Sequence, residues 1–285
     1  MKRIIKEKML GKYSAYLKNE EKSKATIRKY LCDLRKLMDY AGGSEVNKEM
    51  VLSYKEKLLE KDGYKVSSAN SFLVAANCFF EFMGWQDLRV KTYKVQQEAF
   101  CPENRYLSKE EYFRLINAAI GMGKKRLAMI LQTICATGIR VSELQAVTVE
   151  AVKKNSVVIH NKGKIRKVLL PDDLRKELLY YISRKGIRQG IVFCTSSGKA
   201  VNRSNIWKEM KALCKMAGVE EGKVFPHNLR HLFASVFYGV KKDIAKLADI
   251  LGHSSIETTR GYIKATAREH REQLNQMKLV SMCWQ

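Results

Sequence analysis

In PHNLRHLFASVFYG, His227 and Arg230 are three residues apart, so on a helix they project from one side of its first turn. A cation and a ring N–H placed in this way can hold an anion, helped by the free backbone N–H groups at the helix start. Arg140 stands two residues beyond Gly138 in TGIRVSEL, just past an apolar run, where rigid structure would hold a guanidinium for bidentate binding of phosphate. Lys162 lies at the glycine turn of NKGKIRKVLLP and offers a mobile ammonium. His253 follows Gly252 in LGHSSIETTRGYI, and Tyr262 stands near the end of the same stretch. Each group also has an ordinary alternative. These are a surface His–Arg pair, a helix-capping arginine paired with Glu143, an exposed turn lysine, a helix C-cap and a core tyrosine.

The chemistry that uses all six together is phosphoryl transfer to a phenol. A phosphodiester under attack gains charge on its non-bridging oxygens, and two arginines with imidazole N–H donors can stabilise that charge without a metal. A phenol, with a pKa of about 10, must lose its proton as it attacks, here to a base such as His227. The leaving 5′ oxygen must gain a proton, and Lys162 is a candidate acid. The covalent intermediate keeps the bond energy, so rejoining needs no ATP.

Such groups need rigid carriers. Leu127, Ile130, Leu131, Ile134 and Cys135 have the spacing of a buried helix ending at Gly138. SVVIHNKGKIRKVLLP sets a β-branched run against a second apolar run across Gly163, a hairpin signal. Helices are expected over 173–183, 204–216, 228–238 and 243–251, with Ser254 and Glu257 as a capping box for a short one after them. Gly252 is expected to turn the chain so that His253 faces the phosphate, and Gly261 to loosen the approach to Tyr262.

Upstream, the spacing predicts four helices. Ile27, Leu31, Leu34 and Met38 form one stripe stopped by Gly42 and Gly43. Asn47 caps the next helix, with Val46 and Val51 placed as a hydrophobic staple. Ser67 or Ser68 starts a dense apolar helix that Gly84 ends. Periodicity is lost between about 90 and 105, and Ser108 with Glu111 then forms a capping box. The expected fold is mainly α, with a small antiparallel β-sheet in the C-terminal region and an all-α four-helix region before it. The boundaries read as 1–90 for the helical domain, 91–105 for a linker and 106–285 for the second domain.

The 285 residues are 46% apolar, enough for a real core, and contain no apolar run of about 18 residues. The start, MKRIIKEKML, is charged and lacks a signal-peptide core, so a cytoplasmic protein is expected. Seven cysteines, without a CxxC pair, read as reduced thiols, and the five histidines show no ligand spacing with them. No metal or other cofactor is therefore expected. Lys plus Arg number 53 and Asp plus Glu 29, a net charge of +24. Residues 1–100 carry 20 basic and 13 acidic side chains, and residues 101–285 carry 33 and 16. Both regions share the excess, which points to a nucleic-acid partner rather than a basic tail. In the first region the polar faces hold Lys22, Lys24, Arg28, Lys29, Arg35 and Lys36. Singly each reads as solvated surface; together they argue for phosphate contact, with Lys24, Arg28, Lys29 and Arg35 as the DNA-contact set.

TGIRVSEL, NKGKIRKVLLP, PHNLRHLFAS and LGHSSIETTRGYI, in that order over residues 137–263, resemble the motif blocks of the tyrosine recombinases, or phage-integrase family. The preceding region is similar, with weaker motifs, to that family's helical core-binding domain. The resemblance implies that Arg140 is the first catalytic arginine and Lys162 the β-hairpin lysine. It makes His227 and Arg230 the H-x-x-R pair, His253 the LGH histidine, Tyr262 the nucleophile and Glu143 an acidic supporting residue. Leu232 stands where many members have Thr or Ser, and Lys264 where a histidine often follows the tyrosine. These departures weaken assignment to the Xer-type branch without removing a catalytic group, and the chain resembles a compact two-domain member similar to Xer-type recombinases and mobile-element integrases.

The implied activity is site-specific cleavage and rejoining of DNA through a 3′-phosphotyrosyl bond. The implied partners are double-stranded recombination sites and a homotetramer exchanging its C-terminal tails. No membrane partner is implied. A compact basic member fits integration and excision of a mobile element. Xer-like dimer resolution, DNA inversion, a type IB topoisomerase-like relaxase and a non-catalytic DNA-binding regulator on the same scaffold are the alternatives.

Overall fold

A computed structural model describes residues 2–94, 105–161, 164–195, 197–263 and 267–277. The chain divides into two compact units, Met1–Gln97 and Glu98–Gln285. Much of the expected linker, residues 95–104, lies outside the described residues.

The first unit is helical. Helices α1 (Glu7–Asn19), α2 (Lys24–Ala41), α3 (Lys48–Glu60) and α4 (Val66–Phe82) surround one core, followed by a 3-10 turn at Gln86–Leu88. The caps are local chemistry. Ser23 accepts from the Thr26 N–H, Asn47 accepts from the Met50 N–H, and Gly42 closes α2 in the left-handed region. Val46 and Val51 are both buried, as a staple requires. Helix α4 starts at Val66, earlier than its serines suggest, with Lys65 at the N-cap and no side-chain cap. The Ser68 and Ala69 N–H groups bond to the Lys65 carbonyl instead, so burial of Ala69, Phe72 and Leu73 sets this start rather than a cap.

The second unit is built around α6 (Lys125–Thr137), which packs against α5 (Lys109–Gly121) and three later helices. Ser108 and Glu111 form the reciprocal capping box that starts α5. Leu127, Ile130, Leu131 and Ile134 are at most 1% exposed, and Cys135, the last of the predicted stripe, is half-buried against the same core. A 3-10 segment, Val141–Ala146, and a short α7 (Val149–Lys153) lead to the hairpin of β1 (Ser156–Asn161) and β2 (Lys164–Leu169). The strands pair antiparallel from Ser156↔Leu169 to Asn161↔Lys164. Val157, Ile159 and Val168 face inward, whereas Val158, Ile165 and Leu169 are exposed.

Then follow α8 (Asp172–Lys185), α9 (Arg203–Lys211), α10 (Cys214–Ala217), α11 (Pro226–Lys241), α12 (Ile244–Leu251), α13 (Ile256–Arg260) and α14 (Ala267–Gln276). The single helix expected over 204–216 is two, because the Leu213 N–H bonds three residues back to Met210 and tightens the chain between them. Among the described residues, no helix is long and apolar enough to cross a membrane.

Candidate active site

Helix α11 brings two of the expected groups. Pro226 opens it without needing a hydrogen-bond acceptor, and Asn228, Leu229 and Leu232 bury its inner face. His227 and Arg230 therefore point from its first turn toward the end of α6. Arg230 is 1% exposed. Its guanidinium donates to the Gly138 carbonyl, to the Leu251 carbonyl at 2.7 Å and to His253 Nε2 at 2.9 Å. It thereby ties together the C-terminal ends of α6 and α12, which cannot satisfy their own last carbonyls. Burial first, and then the Arg140 charge, lower its pKa to about 10, so it stays a cation at neutral pH.

His253 sits where Gly252 turns the chain at φ +66°. Its backbone N–H caps α12 by bonding to Ala248, leaving the ring for the site. A guanidinium can only donate, so Nε2 accepts, and Nδ1 carries the proton toward the buried Thr259 hydroxyl at 2.9 Å. Burial, then Arg230 and Arg140, hold this imidazole neutral with a pKa of about 4.

Tyr262 is 8% exposed, and its hydroxyl lies 3.0 Å from His227 Nε2. Three imidazoles surround the phenol ring, those of His227, His231 and His253, at centroid distances of 5.2, 5.2 and 5.3 Å. His227 is shifted below its ordinary value by burial, then by Arg230, Arg140 and Arg203, so it is neutral and can take a proton. Tyr262 is packed within its own chain, as the core-tyrosine alternative expects, and its hydroxyl also meets an imidazole.

Arg140 leaves α6 just after Gly138, and its side chain is one-third exposed. Its backbone N–H donates to Glu143 Oε2 at 2.7 Å and its Nη1 to Oε1 at 3.0 Å. Glu143 is also gripped by Arg166, at 3.0 and 2.7 Å. Burial pushes the Glu143 carboxyl up, but the Arg166 and Arg140 hydrogen bonds outweigh that and hold it below its ordinary value. The arginine–glutamate pairing is thus real, and it aims Arg140 at the site. Arg140, His227 and Arg230 line one cleft of about 660 Å³ with Arg203, Ser204 and Trp207.

Sequence reasoning missed Arg166. Its signal is the strand period. Residues 166 and 168 share the inward face of β2, and an arginine there needs a carboxylate. A Cβ on Gly252 would stand 2.7 Å from Arg166 Cδ, so this glycine supplies room as well as a left-handed turn. At Gly261 no unusual backbone conformation calls for a glycine. Its φ is −60°, which any residue adopts. Ser255, not Ser254, caps α13, accepting from the Glu257 N–H.

Lys162 lies outside the described residues. In the first unit, Lys24 and Arg28 are exposed. Lys29 pairs with the nearly buried Asp33 at 2.6 Å, and Arg35 with Glu7 at 2.8 Å. Those two cations already hold partners in the DNA-free chain.

The phage integrase family model matches residues 105–269, and the N-terminal SAM-like domain model of phage integrases matches residues 10–87. The chain is 29% identical to tyrosine recombinase XerA of Pyrococcus furiosus, over 98% of this chain and 96% of that one. Its fold is similar to the XerH site-specific recombinase bound to difH substrate after cleavage. That match has a TM-score of 0.70 and 19% identity, and covers 88% of this chain and 80% of that one. It is also similar to lambda integrase in a tetramer on a Holliday junction, with a TM-score of 0.72 and 15% identity, over 90% and 77% of the two chains. The chain belongs to the phage integrase family.

Proposed function

We propose that the chain is a site-specific recombinase that breaks and rejoins duplex DNA, one strand per active site, through a 3′-phosphotyrosyl bond. The contact between the Tyr262 hydroxyl and His227 Nε2, beside a buried Arg230, carries this reading. The phenol oxygen attacks the phosphorus while its proton passes to His227. The bond from phosphorus to the 5′ oxygen breaks, and Lys162 protonates that oxygen. Arg140 and Arg230 take up the charge that grows on the non-bridging oxygens. A 5′ hydroxyl from another strand then attacks the phosphotyrosine and releases Tyr262. A duplex nicked near its cleavage point tests the reading, because loss of the short 5′ fragment prevents religation. Wild type is expected to accumulate a covalent adduct on denaturing gels, and Tyr262→Phe none. An adduct in the Phe variant would reject Tyr262 as nucleophile.

The biological role we infer for it is integration and excision of a mobile element, in the cytoplasm. Near full-length similarity to XerA supports chromosome-dimer resolution as the second reading. Sequencing the DNA recovered in the adduct separates them, as element ends or a single chromosomal site.

Recombination would run in a tetramer with the tails exchanged between neighbours. Support comes from Leu274 on α14 and Met277 just after it, both more than half exposed. The apolar Leu279, Val280, Met282 and Trp284 lie outside the described residues. Truncation after Gln273 is expected to spare DNA binding and abolish synaptic complexes in gel-shift assays. Normal synapsis by the truncated chain would exclude tail exchange.

A further inference from the structure

We propose that His231, backed by Tyr106, is a positioning residue that clamps the nucleophile against His227. This inference rests on the reading of Tyr262 as the nucleophile. His227 and His231 are four residues apart on α11, so both rings rise on one stripe toward Tyr262. They meet it at different places. His227 reaches the hydroxyl. His231 lies across the phenol ring at 5.2 Å and 28°, and its Nε2 makes a long, 3.4 Å hydrogen bond to the carbonyl of Gly261, the residue just before the nucleophile. Burial lowers the His231 pKa to about 4, so at neutral pH the ring is uncharged and Nε2–H is the donor.

His231 also stacks on Tyr106, with centroids 3.5 Å apart and planes 20° from parallel. Tyr106 is held in place by its neighbour. The Arg105 carbonyl accepts from Asn228 Nδ2 at 3.1 Å, and Asn228 is 1% exposed on the same turn of α11. His231 therefore stacks with both Tyr106 and Tyr262 and is itself carried on a helix.

The nucleophile needs such a clamp. Tyr262 belongs to a small buried cluster with Ala234, Leu247 and Leu251, separate from the main core. It is carried just past α13, a helix of only five residues. His227 and His253 also flank the phenol, and His231 adds to them a bond to the backbone just before it. A ring stack and one hydrogen bond are together worth roughly tenfold in the docked population.

The test is single-turnover adduct formation on the nicked duplex at saturating DNA, with duplex Kd and thermal melting measured for each variant. His231→Ala and Tyr106→Leu are expected to slow adduct formation about tenfold or more. Kd should stay within about twofold of wild type. His231→Phe and Tyr106→Phe, which keep the stack, should recover most of the rate. A role limited to general stability would instead lower the melting temperature, without a rate loss that the aromatic variants rescue. If His231→Ala fails to fold, Tyr106→Leu decides, since Tyr106 is only half-buried. Wild-type rates in the Ala and Leu variants, or a loss confined to Kd, would overturn the clamp. Wild type forming its adduct while these variants match it sinks only this inference. Wild type forming none sinks the recombinase reading and the clamp with it.

Discussion

Arg230→Lys is expected to lose cleavage of the nicked duplex by about 10³-fold, although it keeps the positive charge. Arg230 does two things that an ammonium cannot do at once. Its planar fork spans the Gly138 and Leu251 carbonyls, closing the ends of α6 and α12 against each other. The same group fixes His253 through Nε2 and presents charge to the cleft that Arg140 also lines. A lysine can satisfy one carbonyl and leaves the other buried and unpaired, at a cost of about 1–3 kcal/mol. The expected pattern is a large fall in cleavage rate with a lower melting temperature and little change in duplex affinity, since the other basic groups remain. Cleavage within tenfold of wild type would mean that the fork geometry does not matter and that only the charge is used.

Glu143→Ala is expected to be the most damaging substitution for stability, by about 3–5 kcal/mol. In a domain of this size that is a drop of roughly 10 °C in melting temperature. Glu143 is 7% exposed at its side chain and accepts four hydrogen bonds, two from Arg140 and two from Arg166. Removing it leaves the 14% exposed Arg166 without its carboxylate and frees Arg140 to swing from the cleft. Melting against pH checks the electrostatic part. The folded carboxyl titrates below its ordinary value, so its contribution is complete above about pH 4.3, where the unfolded chain titrates, and is lost as pH falls through the lower folded value. Wild type should lose stability through that window while Glu143→Ala shows a shallower slope there. Parallel slopes would assign the acid sensitivity to other carboxylates.

The contrast between these residues shows how far local pattern reaches. Arg140, His227, Arg230, His253 and Tyr262 were legible because each sits at a punctuation point of the chain: past a helix-ending glycine, on a first helical turn, or beside a short capped segment. Arg166 and His231 stand inside NKGKIRKVLLP and PHNLRHLFAS, yet sequence reasoning gives them no role. Each had a periodic signal, the inward parity of β2 and the i, i+4 stripe of α11. Neither signal names a partner. Thr259, which accepts from His253 Nδ1, gives none beyond lying three residues before Tyr262.

The sequence by itself determined the helices and the hairpin, since caps, glycine stops and apolar spacing act over three to five residues. It also determined which six groups are chemically suited to work together. Only the tertiary structure decided which of them meet. Glu143 finds Arg166 from 23 residues away, His227 finds Tyr262 from 35, and Arg230 finds the Gly138 carbonyl from 92. Periodicity encodes which face of an element is buried and is silent on what that face is buried against, and that choice depends on how all the elements pack at once.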